Sequence, residues 1–376
     1  MTLDAYLIYI ACKQGCMVRK NAGLIILVVL VVLIRIFSFF PEAVEQWYST
    51  GFYPKFAAVQ RVFLGWIPIS IGDLLYAWAG IYIVRKTVGL AWKFRRKHIS
   101  REYLFATGKK ILTILLVVYC WFNISWGLNY NRVSLGRQLQ LVKDSITPAD
   151  LRRLTLELAD SLNSLAAEAH PNLAKIKSKR KLFNGSVNGY EELVKTQPLF
   201  QYDYTSVKPS MYSYLGNYMG FTGYYNPFTG EAQVNTTVPY FIQPFTTCHE
   251  IGHQLGYAKE YEANLAAFLS ASSSHDPVFR YSVYFEMYAY ARPYLYITDS
   301  VELKRIDSAL HPFVINDFRE LRKFLREHQN PVETVIDIVY SQYLRMNEQP
   351  SGRLSYNEVI FLLMGYFKKY RWNERM

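Results

Sequence analysis

His249 and His253 stand four residues apart in a segment that reads TTCHEIGHQLGYAKEYEANLAAF from Thr246 to Phe268. Positions i and i+4 of a helix lie one above the other, so both imidazoles face the same way. Such a pair supplies two of the three protein ligands that a catalytic zinc needs. Glu250 directly follows the first histidine and lies too far round the helix to be a third ligand. It is placed instead to take a proton from a metal-bound water. Gly256 suits a left-handed turn that ends the helix and reverses the chain. A second helix is expected from about Ala258, and on it Glu260 and Asn264 share a face. Glu260 then completes a zinc site, and Asn264 hydrogen-bonds a ligand imidazole from behind. Glu262 points about 200° away from Glu260 on an ideal helix and is the weaker candidate ligand. Ala263 and Ala267 flank that face, and small side chains let two helices approach closely.

The competing reading of His249 and His253 is a buried helix whose histidines are satisfied by ordinary hydrogen bonds. The register of Glu260 and Asn264 favours the metal. Cys248 lies on a neighbouring helical direction and reads as a small buried residue. Tyr281, Tyr284, Tyr288 and Tyr356 are candidates to stabilise an oxyanion, though most of them are expected in the core. The strand expected at Ala232–Asn235 is either an edge along which an extended peptide lies or plain scaffold.

With these residues in view, H-E-x-x-H followed by E-x-x-A-N resembles the gluzincin metallopeptidases. In those enzymes a downstream glutamate is the third ligand, and an aspartate or asparagine four residues on supports a ligand. A metzincin is disfavoured, because Lys259 stands six residues after His253, where its third histidine would be. The stretch Gly223–Phe268, with NPFTGEAQVN, CHEIGHQLGYA and EYEANL, is similar to an uncharacterised family of bacterial membrane-anchored zincin-like proteins. The tail around Tyr343–Tyr366 and the apolar leader match that family as well. The resemblance implies a zincin-like domain with a bound Zn2+. The interval from His253 to Glu260 is shorter than in the better-known gluzincins.

The fold that must position this site is expected to be α+β and mainly helical, with a small β-sheet. Thr147-Pro148 opens a helix to about Glu168, and Asn330-Pro331 opens another to about Met346. Ser355 and Glu358 read as a capping box. Between Phe200 and Val238 the Tyr, Thr, Val, Gly and Asn content implies short strands, with a turn at Tyr225–Gly230.

Ahead of the site lie three apolar stretches, at about 22–40, 62–84 and 111–128. Each is near the ~20 residues needed to span a bilayer, so residues 1–128 read as a three-helix membrane anchor. Residues 129–376 read as the zincin-like domain. Trp66, Trp78, Trp121 and Trp126 are expected at the interfaces. Asp73 falls inside the second stretch and reads as a polar contact in a helix bundle or a helix end beside Gly72.

Of the formal net charge of +12, residues 1–110 carry 15 basic against 5 acidic side chains. Later residues carry 27 against 25, so nucleic-acid binding by the larger part is disfavoured. The basic side chains crowd into Arg85–Lys110, with Lys13, Arg19 and Lys20 before the first stretch. The positive-inside rule then places the N-terminus in the cytoplasm and the catalytic domain outside the inner membrane, in the periplasm. Cys12, Cys16 and Cys120 lie in the leader, so Cys248 has no disulfide partner in the outer domain.

These readings converge on a multi-pass, membrane-anchored zinc metallopeptidase acting on peptides or proteins of the cell envelope. Glu250 is the expected base. A non-catalytic envelope sensor or scaffold with the same fold is the alternative, and an intramembrane peptidase is a third reading.

Overall fold

The computed structural model describes residues 3–96, 100–141 and 146–372, with side chains from Asn21 onward, Arg353 excepted. The side chains of Cys12, Lys13, Cys16, Arg19 and Lys20, and Lys97 in the basic loop, lie outside the described residues. Helices α1 (Leu3–Ser38), α2 (Tyr53–Leu64), α3 (Ile71–Arg95) and α4 (Arg101–Ser125) come first. A π-helical segment, Val44–Phe52, leads into α2. After them come α5 (Pro148–Ala169), α6 (Lys179–Val194), α7 (Ser213–Met219), α8 (Gln243–Gln254) and α9 (Glu260–Ser273). The last are α10 (Pro277–Thr298), α11 (Ser300–Ser308), α12 (Pro312–His328), α13 (Pro331–Met346) and α14 (Val359–Phe367). Strands β1 (Val207–Pro209), β2 (Gly223–Asn226) and β3 (Glu231–Val234) form one small sheet, so the chain is mainly helical with a minor β component.

Local sequence explains the main helices. Thr147 and Asp150 exchange side-chain-to-backbone hydrogen bonds at the start of α5, with Pro148 just inside. Along α5, Leu151, Leu154, Leu158, Leu162 and Leu165 repeat at helical spacing and are buried. They face Tyr281, Phe285 and Tyr288 of α10 in one core. Each fully buried leucine contributes about 1.5–3 kcal/mol. Asn330 caps α13 by accepting from Val332 N and Glu333 N. The capping box expected at Ser355 and Glu358 does not form. Residues 352–358 make a 3-10 turn, the Ser355 hydroxyl donates to Gln349 Oε1, and Ser351 donates to Glu358.

Strand order is β1-β3-β2, with β1 parallel and β2 antiparallel to β3. The strand at Ala232–Asn235 is therefore central, and β2 is an edge. Asn226 accepts from Phe228 N and Thr229 N, and Gly230 adopts φ +68°, which closes the β2–β3 turn.

The apolar leader departs from expectation in its second stretch. Residues 62–84 are not one helix: α2 ends at Leu64, residues 65–70 turn, and Ser70 caps a new helix by accepting from Asp73 N. Gly65 and Pro68 lie in that turn and explain the break. Among the described residues, two helical segments are long and apolar enough to cross a membrane, Asn21–Ser38 in α1 and Arg101–Ser125 in α4, and α3 is not among them. Asp73 is not at mid-span. It sits in the first turn of α3, buried, accepting from Met211 N at 2.7 Å and from the Tyr224 hydroxyl. Nor does the third apolar stretch end in lipid: Gly127 and Leu128 are buried in a 3-10 turn after α4.

Helices α1 and α4 run side by side in the same direction. Lys109 bonds Asn21 at one end, while Ile34 and Cys120 share a buried cluster toward the other. Helix α3 runs back between them in sequence, meeting α4 where Lys93 lies over the Tyr103 ring. Its opposite end is held by Glu231 of β3, which accepts from the backbone N–H of Ile71 and Gly72 and pairs with Lys208. A carboxylate at a helix N-terminus is stabilised by the orphan donors and dipole there.

Candidate metal centre

Helix α8 is buried along its whole length, and Pro244 stands in its first turn. Gly256, at φ +84°, ends it by letting Tyr257 N reach Gly252 O at 3.1 Å. The chain turns within a few residues and starts α9 at Glu260. A Cβ on Gly252 would stand 3.3 Å from both Ala263 O and Ala266 Cβ. Small residues thus set the close approach of the two helices, with Ala266 rather than Ala267 opposite the glycine. That approach brings Glu260 to the histidine pair.

Glu260 Oε2 lies 3.2 Å from His249 Nε2 and 3.4 Å from His253 Nε2, all three side chains being buried. Their ligand atoms all fall within 4.8 Å of one another. The other nitrogen of each ring is already used. His249 Nδ1 lies 2.6 Å from Asn264 Oδ1, and His253 Nδ1 lies 2.8 Å from the Tyr257 carbonyl. Asn264 Nδ2 donates to Tyr356 O at 3.0 Å, so its Oδ1 must be the acceptor. Both Nδ1 atoms therefore carry hydrogen, so each ring, when neutral, turns an Nε2 lone pair toward a carboxylate oxygen. Lone pairs converging in this way repel unless positive charge, a proton on one Nε2 or a metal ion, stands among them. For tetrahedral bonds of about 2.0–2.1 Å the ligand–ligand edge is about 3.3 Å, close to both observed separations. Glu260 Oε2 is buried and accepts no hydrogen bond, which leaves it available to an ion. The residues fit a divalent metal.

The electrostatics say the same. Burial pulls the His249 imidazole below its usual pKa, against the pull of Glu260. Burial also lowers His253, but the Glu260 carboxylate outweighs it and raises that ring to about 9. Burial would raise Glu260, yet the two imidazoles hold it well below the usual carboxylate range. The cluster calls for positive charge. At Glu250 burial wins: it pushes the carboxyl up to about 8 against the pull of the His253 ring, and its Oε2 is buried and unpaired.

A cavity of about 260 Å3 opens in front of His249 and Glu250, walled by Phe221, Gly223, Phe245, Tyr290 and Tyr356. A Cβ on Gly223 would stand 2.6 Å from Glu250 Oε1, so the start of β2 backs directly onto that carboxylate. Tyr356 stacks on His249 with ring centroids 6.1 Å apart. Tyr281 and Tyr288 are instead core groups, donating to Asp317 and Asp307, and Tyr284 packs against Phe268. Glu262 is buried away from the histidines and accepts from Leu135 N at 3.0 Å. Cys248 is buried beside Ser186 and Ser270, and burial raises its thiol to about 11.

Several contributors carry no local signal in the sequence. Tyr340 of α13 donates to Glu260 Oε1 at 2.9 Å, and Gln349 Oε1 accepts from Glu260 N at 2.9 Å. Tyr53 and Arg61 of α2 both donate to Gln254 O, while Arg132 donates to Leu255 O and Gly256 O. These satisfy the free carbonyls at the C-terminal end of α8. No curated protein and no solved structure matches the chain. The family model described as "Protein of unknown function (DUF3810)" matches residues 48–364, most of the chain and all of this site, and the chain belongs to that family.

Proposed function

We propose that the protein is a membrane-anchored zinc metallopeptidase that hydrolyses peptide bonds on the extracytoplasmic side of the inner membrane. The observation that carries this reading is the convergence of His249 Nε2, His253 Nε2 and Glu260 Oε2 beside the unpaired carboxylate of Glu250. Two imidazoles and one carboxylate, with a cavity in front, make the donor set of a catalytic rather than a structural zinc. The ion, when bound, polarises a carbonyl oxygen and makes water a nucleophile near neutral pH. The protein supplies the rest. Asn264 and the Tyr257 carbonyl hold both imidazoles in the tautomer that offers Nε2. Glu250 takes a proton from the attacking water and passes it to the leaving amine, a role suited to a carboxyl raised toward neutrality. An extended peptide lying against β2 brings its carbonyl into the cavity. Of the four tyrosines first considered, Tyr356 is the one that lines it and can donate to a developing oxyanion.

The anchor reading has its own support. Because α1 and α4 are parallel, a bilayer crossed by both must be crossed back between them, and α3 is the helix that returns the chain. Its apolar run Ile71–Val84 is followed by Arg85 and Lys86, and the basic side chains gather at its far end. By the positive-inside rule that end is cytoplasmic, and the metal site is outside.

The test is metal analysis and peptide hydrolysis on the purified full chain. About one zinc per chain and hydrolysis of a casein digest are expected, with Glu250→Gln keeping the zinc and losing hydrolysis. A folded protein that takes up no zinc would sink the reading. Zinc without hydrolysis would favour a non-catalytic envelope role.

A further inference from the structure

A second cavity, of about 430 Å3, adjoins the metal cavity along β2. Tyr76 of α3, Leu215 and Met219 of α7, Phe221, and Tyr340 of α13 are among its walls, and it shares Phe221 and Gly223 with the metal cavity. The hydroxyls of Tyr212, Tyr224 and Tyr340 are taken by Asp73 or Glu260, so the space they border is chiefly apolar. A substrate carbonyl at the metal site would therefore have an apolar recess beside it. That recess is walled on one side by a helix of the anchor.

The helices around its mouth are polarised the wrong way for water. On α13, Val332, Val335, Ile338 and Val339 are 60–67% exposed, while Glu333 and Asp337 of the same helix are half-buried. On α7, Tyr214 and Leu215 are exposed, as is Met211 just before it. Asn330 ties the two helices by donating to Tyr218 O at 2.7 Å. These faces adjoin α3, whose Leu74, Trp78 and Ile81 are also exposed. An apolar stripe at helical spacing, continuous with an apolar anchor helix, matches the boundary of a bilayer, where such a helix lies in the interface plane.

We propose that the α7–α13 face docks on the lipid bilayer and sets the mouth of the 430 Å3 cavity at the membrane surface, so that the site receives apolar juxtamembrane peptide segments. The docking half rests on the exposed faces and on α3 as a membrane helix; the substrate half rests on the peptidase reading. An apolar side chain seated in the cavity is worth about 1.5–3 kcal/mol, or roughly tenfold to a hundredfold in kcat/KM.

The experiment uses the full chain in nanodiscs of phosphatidylethanolamine and phosphatidylglycerol. A photo-crosslinking benzoylphenylalanine is placed at Val335, at Ile338, or at the exposed Lys179 of α6 as a control. Lipid adducts at Val335 and Ile338 that exceed the control by roughly tenfold are expected from full insertion of an apolar side chain. Adducts no greater than at Lys179, or adducts to a second copy of the chain, overturn the docking face. In parallel, palmitoylated and free quenched peptides carrying Phe or Ala beside the scissile bond are compared. Preference for the palmitoylated Phe peptide is expected, and V335E/I338E should lower the palmitoylated-to-free ratio while zinc content and thermal unfolding stay unchanged. Hydrolysis indifferent to Phe and to the tether overturns the substrate assignment alone. Lipid adducts with no hydrolysis of any peptide overturn the peptidase reading and the substrate assignment together, and leave the docking face standing.

Discussion

The indole N–H of Trp126 donates to the carbonyl of His253 at 3.0 Å, so the residue that ends α4 touches the backbone of a candidate metal ligand. The Trp126 ring meets the His253 ring edge-on at 5.9 Å and packs on Tyr130 and Tyr225 as well. The end of α4 and the site are therefore one packed unit at this point. Trp126→Phe keeps a ring but removes one of two donors to that carbonyl, the other being Gly256 N at 3.0 Å, which costs about 0.5–1.5 kcal/mol. The expected result is a lower thermal midpoint together with weaker zinc retention against a chelator. A variant as stable and as zinc-tight as the wild type would show that the contact transmits nothing.

Asn264 is predicted to matter through His249 and not through direct ligation. Removing its carbonyl in Asn264→Ala frees the imidazole to rotate and to change tautomer. Losses of this kind typically run about 10–100-fold in metal affinity. Asn264→Asp keeps an acceptor at the same place and should lose far less. Competitive chelator titration of both variants checks the order, and equal affinities would remove Asn264 from the site.

Glu260 and Glu262 are two residues apart, both buried, and serve different ends. Glu260→Gln should abolish stoichiometric zinc, because the amide offers the cluster no negative charge. Glu262→Gln should keep the zinc, since that carboxylate supports the backbone of Leu135. Metal analysis of the two proteins decides the assignment, and loss of zinc from Glu262→Gln with an intact fold would reverse it.

How much of this was legible beforehand follows from the range of the interactions. The pairing of His249 with His253 and of Glu260 with Asn264 is set by helical spacing, and the turn between them by Gly256, so a local reading sufficed. Tyr340, Gln349, Trp126 and Arg132 reach the same site from other elements, and periodicity carries no information about such contacts. The second apolar stretch misled for the opposite reason. Its composition is largely apolar, with Asp73 as its one charged residue, while Gly65, Pro68 and the Ser70 cap act on the backbone and break it into two helices. The capping box at Ser355 failed because Gln349 and Ser351 compete for the two side chains it needs.

A last prediction concerns pH and a group that is not among the metal ligands. Glu286, on α10, is half-buried, and burial alone pushes its carboxyl up to about 7. In the unfolded chain a glutamate titrates near 4.5, so between these values the native protein holds a proton that the unfolded chain has lost. Stability from this group is complete below about pH 4.5 and is lost as pH rises through about 7. The shift corresponds to about 3 kcal/mol at most, less for a side chain in partial contact with water. Glu286→Gln removes the ionisation while keeping the shape. The variant should unfold at a higher temperature than the wild type at pH 8 and at the same temperature near pH 4. Parallel thermal melts across that range test the point, and a variant difference that does not grow with pH would mean that Glu286 reaches water in the native state.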